Sequence, residues 1–184
     1  MTKKTLGDGP EHIGDITFGY DIHGCTTGIE AWNNWGQDVV FGETLRYASP
    51  TKPGSMARYD GNISEITFST GSATDAGTYG YTYDGLKRIT DAAYYAGTST
   101  SQSLLKTEKS IAYDRNGNIT GLSRYGASGF LEALSFAHNG NRVTSWTDSY
   151  NQSGSYGYDS MGHRTSDSAK GLQFSYNLAN LPSG

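Results

Sequence analysis

One phrase returns along the chain in imperfect copies. It consists of an apolar or aromatic residue, one further residue, Tyr, Asp, a Gly-containing turn, then a β-branched residue and Thr. The fullest copy is Ile111-Ala-Tyr-Asp-Arg-Asn-Gly-Asn-Ile-Thr120. A chain built by repetition buries its core by stacking one small supersecondary unit against the next, so its repeated residues are architectural before they are anything else.

The Tyr of each copy is a convenient landmark: Tyr20, Tyr59, Tyr83, Tyr113, Tyr158 and Tyr176, with His138 in the same slot of Phe136-Ala-His-Asn-Gly-Asn-Arg-Val-Thr144. The intervals are 39, 24, 30, 25, 20 and 18 residues. That is too irregular for the fixed coils of a solenoid and suits hairpins whose far loops differ in length. Two residues before the landmarks stand Phe18, Ala57, Tyr81, Ile111, Phe136, Tyr156 and Phe174. Residues two apart share a face of a strand, so each copy predicts an apolar or aromatic pair on one side of a sheet just before a turn.

The turn chemistry agrees. Asp21-x-x-Gly24, Asp114-x-x-Gly117 and Asp159-x-x-Gly162 supply a side-chain acceptor for local N–H groups and a residue able to take positive φ. Asp60-Gly61 and Asn139-Gly140 are pairs favoured in tight hairpins. Ile63, Ile89, Ile119 and Val143 then open the return strands. No amphipathic helix is apparent. The expected fold is all-β, a meander of about a dozen antiparallel strands joined as hairpins into a long curved sheet. Residues 1–15 read as a poorly ordered N-terminal extension, and residues 16–182 as the sheet, either one domain or part of a larger one.

Composition narrows the function classes. Tyr outnumbers Phe by 14 to 6, and Gly accounts for 25 of 184 residues. Tyr brings a ring to bury and a hydroxyl that needs a partner, which favours thin layers with many half-buried positions over one deep core. The net charge is -4 with no basic stripe, which argues against a nucleic-acid partner. A single cysteine, Cys25, excludes a disulfide framework within the chain. No segment is long and apolar enough for a transmembrane helix, and the N-terminal residues do not read as a signal peptide.

The phrase resembles the YD repeats of bacterial Rhs proteins, the family that includes wall-associated and toxin-complex proteins. Tyr113-Asp-Arg-Asn-Gly-Asn-Ile-Thr120 carries the whole family phrase. Tyr20-Asp21 with Gly24, Tyr59-Asp60-Gly61, Tyr83-Asp84 and Tyr158-Asp159 with Gly162 carry parts of it. The order of the copies is similar to Rhs proteins of Bacteroidetes-type bacteria. Lys87 departs from the usual Gly or Asn in the turn and His138 from the usual Tyr, and Thr27 and Thr165 sit near slots where an apolar residue is expected. The resemblance implies a structural segment of a β-shell that encloses or presents a C-terminal toxin or effector. It also implies a secreted or cell-surface location, neighbouring YD repeats as partners and no catalysis. The Asp-Pro self-cleavage segment of the family's core region has no counterpart in the chain.

Other constellations are weaker. Trp32-Asn-Asn-Trp35 offers two indoles as a glycan platform, the basis of an alternative reading as a cell-surface carbohydrate-binding module. His23 and Cys25 lie two apart, yet a Cys–His nucleophile needs a third, orienting group that the sequence does not identify. The remaining histidines lack metal-ligand spacing. No cofactor fingerprint is present.

Overall fold

The structure, a computed structural model, describes residues 2–6, 14–33, 38–71 and 76–183. Its strands in chain order are β1 (Thr2–Leu6), β2 (Gly14–Tyr20), β3 (Thr26–Trp32), β4 (Val39–Arg46), β5 (Glu65–Ser69), β6 (Gly77–Tyr83) and β7 (Ile89–Ala96). They continue as β8 (Ser103–Tyr113), β9 (Ile119–Gly126), β10 (Gly129–Asn139), β11 (Arg142–Asp148), β12 (Ser153–Tyr158), β13 (Arg164–Asp167) and β14 (Leu172–Gln173). Strand order in the sheet follows chain order from β1 to β14. The described residues contain no helix. The expected all-β antiparallel meander is therefore the fold. The sheet begins earlier than the sequence suggests, because Thr2–Leu6, placed there in a loose extension, pairs antiparallel with β2.

The chain divides into two compact units, residues 1–107 and 108–184. In the first, Tyr94 and Tyr95 are the buried large apolar side chains among the described residues, with Tyr94 and Phe68 near Tyr79 at centroid distances of 5.3 and 6.1 Å. In the second unit no large apolar side chain among the described residues is buried. Both are thin layers, as a Tyr- and Gly-rich composition predicts.

The hairpin unit is the same in both. In five hairpins the pairing register shifts by one residue just before the landmark. Tyr20 faces Thr26 while Gly19 faces Gly28, and Tyr83 faces Ile89 while Thr82 faces Asp91. Tyr113, His138 and Tyr158 repeat the pattern against Ile119, Val143 and Arg164. The extra residue on the return strand is Thr27, Thr90, Thr120, Thr144 or Thr165. The recurrent Thr is thus a β-bulge residue, and a bulge bends its strand and adds local twist. Thr27 and Thr165, departures by sequence, occupy this bulge slot like the others; the apolar slot before them is filled by Thr26 and Arg164 instead.

The Asp of the phrase organises the turn. Asp114 Oδ1 accepts the amides of Asn116 and Asn118 at 2.8 and 2.9 Å, while the Asp114 amide donates to the Asn118 carbonyl at 3.0 Å. Asp21, Asp84 and Asp159 accept from the same two offsets, as do Asp148 and Asn177 in turns outside the Tyr-Asp copies. The residue three after each takes positive φ: Gly24, Lys87, Gly117, Asn151, Gly162 and Asn180. Hydrogen bonds hold the Asp carboxyls below their usual range. The main cause is the Cys25 amide for Asp21, the Arg88 amide for Asp84 and the Asn118 side chain for Asp114. At Asp159 burial opposes ionisation, but the His163 side chain and amide outweigh it.

Candidate functional site

The copy at Tyr59-Asp60-Gly61-Asn62 does not form a strand–turn–strand. Residues 47–64 contain no strand, and Tyr59 is 86% exposed. Asp60 accepts only the nearer of the two turn amides, from Asn62, together with the Arg58 guanidinium. The landmark slot of this hairpin is held by Tyr47. Its signal was already in the sequence, since Leu45-Arg-Tyr47 is an apolar residue two before a Tyr at the end of β4, but no Asp follows it.

The proof of equivalence is a hydroxyl contact. Tyr47 Oη donates to the Thr26 carbonyl at 2.9 Å. Tyr83, Tyr158 and Tyr176 donate to the carbonyls of Ile63, Val143 and Arg164 at 2.5, 2.8 and 3.0 Å. In each case the acceptor is at the start of the neighbouring return strand, opposite the residue that precedes the Tyr. Tyr47, Tyr83, Tyr158 and Tyr176 thus each clip their hairpin to the one before. At these four positions the hydroxyl gives Tyr a bond that Phe could not make.

Between Tyr47 and Ile63 the usual short turn is replaced by a strap, residues 48–62, long for a loop without secondary structure of its own. The strap is anchored by Glu65, whose side chain is fully buried. Glu65 accepts the amides of Thr51 and Lys52 at 2.7 and 2.9 Å, the Thr51 hydroxyl at 2.8 Å and Arg46 Nη1 at 3.2 Å. Tyr95 Oη donates to the Pro53 carbonyl, and Lys52 Nζ to the Ser99 carbonyl at 2.8 Å. Gly80 leaves room beneath the strap: a Cβ there would lie 2.2 Å from Ser55 Oγ.

Strap and hairpin together form a cleft of about 720 Å³, lined by residues that include Asp21, His23, Cys25, Leu45, Arg46, Tyr47, Arg58 and Tyr59. The Cys–His pair weighed from the sequence lies here. Both amides donate to Asp21 Oδ1, so the turn accounts for their spacing. Asp21 Oδ2 is 3.8 Å from His23 Nδ1, too far to orient the imidazole by a hydrogen bond.

The remaining sequence candidates are placed as follows. Tyr20, Asp21 and Gly24 end β2 and form its turn; Tyr83 and Asp84 do so for β6, Tyr113, Asp114 and Gly117 for β8, and Tyr158, Asp159 and Gly162 for β12. Trp32 is half-buried at the end of β3, facing Asp15 and Val39. Trp35 lies outside the described residues, so the paired platform has no geometry to assess. No group of three or more His, Cys, Asp or Glu suited to a metal ion occurs among the described residues, and no helix there is long and apolar enough to cross a membrane.

No family model matches the chain, and no curated protein matches it. Among solved structures the chain is similar to part of the crystal structure of TcdB2-TccC3, with a TM-score of 0.51 and 10% identity over 98% of this chain and 12% of that one. The crystal structure of TcdB2-TccC3-TEV also matches, with 12% identity over 85% of this chain and 10% of that one, but its TM-score of 0.25 carries no weight. At such identity the likeness is one of fold. Fold and hairpin unit define an all-β repeat protein, a hairpin meander similar in fold to part of that structure and spanning about an eighth of its chain.

Proposed function

We propose that the chain is a structural YD-repeat segment of a bacterial Rhs-type protein, a section of a β-shell that encloses or presents a C-terminal effector and does no chemistry itself. The observation that carries the reading is the hairpin unit: one Tyr clip, one Asp turn and one Thr bulge, reused with drift along the chain. Repetition of a structural device, with no repeated constellation of reactive groups, is what a wall requires. The fold likeness to TcdB2-TccC3, an Rhs/YD-repeat toxin complex, supports the same reading. In this reading the segment's partners are adjacent YD repeats and the enclosed effector, at the cell surface or outside the cell.

The test uses the parent protein with whatever flanks the segment. Electron microscopy of purified parent protein is expected to show a closed shell, and its C-terminal segment is expected to resist protease until the shell is denatured. An open, extended particle whose C-terminal segment is cleaved at once would overturn the proposal.

A further inference from the structure

The Asp21 turn differs from its counterparts in one hydrogen bond. In the Asp84, Asp114 and Asp159 turns the residue four positions on returns its side chain to the second carboxylate oxygen. Arg88 Nε, Asn118 Nδ2 and His163 Nδ1 lie 2.7, 2.8 and 2.9 Å from that Oδ2. At Asp21 the position belongs to Cys25, whose thiol is at best a weak donor and makes no such bond. His23 Nδ1 stands 3.8 Å from Asp21 Oδ2, beyond hydrogen-bond reach, on a side chain that is 76% exposed. Asp21 Oδ1 serves the turn as in the other copies. Oδ2 is therefore a carboxylate oxygen with no hydrogen-bond donor among the described residues.

Asp21 is also the one carboxylate in the lining of the cleft between hairpin and strap, where Leu45, Ala48 and the rings of Tyr47 and Tyr59 supply apolar surface. The two arginines of the lining are committed to acids of their own. Arg46 donates to Glu65 and Thr67, while Arg58 pairs with Asp60 and lies over the Tyr83 ring, 4.7 Å from its centroid. What remains on offer is one anionic oxygen beside apolar walls. Loops set on a rigid scaffold are where binding residues concentrate, and the strap supplies Tyr59. The volume lies within the range of roughly 300–1,000 Å³ typical of small-molecule sites.

We infer that this cleft binds a small primary amine with an apolar body: the ammonium donates to Asp21 Oδ2, and the body lies against Leu45, Tyr47 and Tyr59. An ammonium is a compact point charge, so a single open oxygen suits it, whereas a guanidinium fork is matched by two. Its bond to a carboxylate is charge-assisted and stronger than a neutral one. The site is independent of the structural role proposed above, and its failure would leave that role untouched.

The experiment is a titration of the ¹⁵N-labelled full chain with 4-phenylbutylamine and, separately, with the uncharged 4-phenylbutanol. Saturable shifts are expected at the amides of Cys25, Tyr47, Tyr59 and Gly61, with the alcohol binding roughly tenfold more weakly, as loss of a charge-assisted hydrogen bond implies. Asp21→Asn should remove the preference for the amine while the turn persists, since Asn177 shows that an amide oxygen accepts the same two backbone amides. Cys25→Arg, which copies Arg88 of the Asp84 turn, should occupy Oδ2 from within the chain and remove the preference as well. Tyr59→Ala, at an exposed position, should weaken both compounds without disturbing the β6 and β7 resonances. No saturable shifts, equal affinity for amine and alcohol, shifts centred elsewhere, or a preference for the amine that survives Asp21→Asn or Cys25→Arg would each overturn the inference.

Discussion

Tyr158 Oη donates to the Val143 carbonyl across two neighbouring strands, at 2.8 Å, with the bulge residue Thr144 immediately after the acceptor. The contact joins one hairpin to the previous one at the point where the pairing register has just shifted. Tyr158→Phe keeps the ring and removes only the clip. It should cost about 0.5–1.5 kcal/mol in urea unfolding. Tyr59→Phe, whose hydroxyl clips nothing, should cost nothing measurable.

The clip is missing where His138 occupies the landmark slot. Strand pairing sets Ser135 opposite Gly121, which places Ala137 opposite Ile119. The Ile119 carbonyl therefore stands where Thr26, Val143 and Arg164 stand for other hairpins. His138→Tyr should install the clip and raise stability by about 1 kcal/mol. An unchanged or lowered midpoint would show that the slot no longer accepts the consensus residue.

Lys87 carries the positive φ that Gly holds in the Asp21, Asp114 and Asp159 turns, at 65° against 87° for Gly117. A side chain in the left-handed region costs roughly 1–2 kcal/mol, offset in part by the greater freedom Gly has when unfolded. Lys87→Gly should therefore stabilise the chain by a few tenths to about 1 kcal/mol. Gly117→Ala, which meets no neighbour within 4 Å and so tests backbone strain alone, should destabilise it by about 1 kcal/mol.

Much of this was legible in the sequence because the determinants are local. Asp at the turn, Gly or Asn three residues on and a β-branched return residue act within a few positions of one another, so the Asp114 hairpin reads directly from its letters. The strap did not. Tyr59-Asp60-Gly61-Asn62 has the letters of a hairpin tip, yet the strand that would feed it is absent, because Thr51 and Lys52 bind Glu65 and carry the backbone away from the ladder. That pairing spans about a dozen residues and joins backbone amides to a side chain, which leaves no periodic signature. The Thr bulge was visible as a recurring letter, but its role depends on cross-strand register, which letters alone do not give.

Glu65 is the single residue on which the strap depends. Glu65→Ala would leave the Thr51 and Lys52 amides and Arg46 Nη1 without their buried acceptor. A loss of roughly 3–5 kcal/mol is expected, since the partners of a buried charge are stranded. Limited proteolysis should then cut first within residues 48–62, before the strands. A cut pattern unchanged from the parent chain would mean that Tyr95 and Lys52 hold the strap without Glu65.

The turn carboxylates set the acid limit of the fold. Asp21, Asp84, Asp114 and Asp159 all ionise more readily folded than unfolded. A group with a lowered folded pKa contributes stability that is fully present above its unfolded value, about 3.9 for Asp, and lost as pH falls through the folded value. The unfolding midpoint in urea should thus be insensitive to these groups near neutrality and fall steadily below about pH 4. Asn177 shows that an amide oxygen fills the same slot, accepting from Ala179 and Leu181 at 2.9 and 3.1 Å. Asp114→Asn should therefore keep its turn at pH 7 and make the acid slope shallower, whereas Asp114→Ala should lower stability at pH 7 as well. A slope unaltered by Asp114→Asn would remove this carboxylate from the acid response and leave its role purely one of shape.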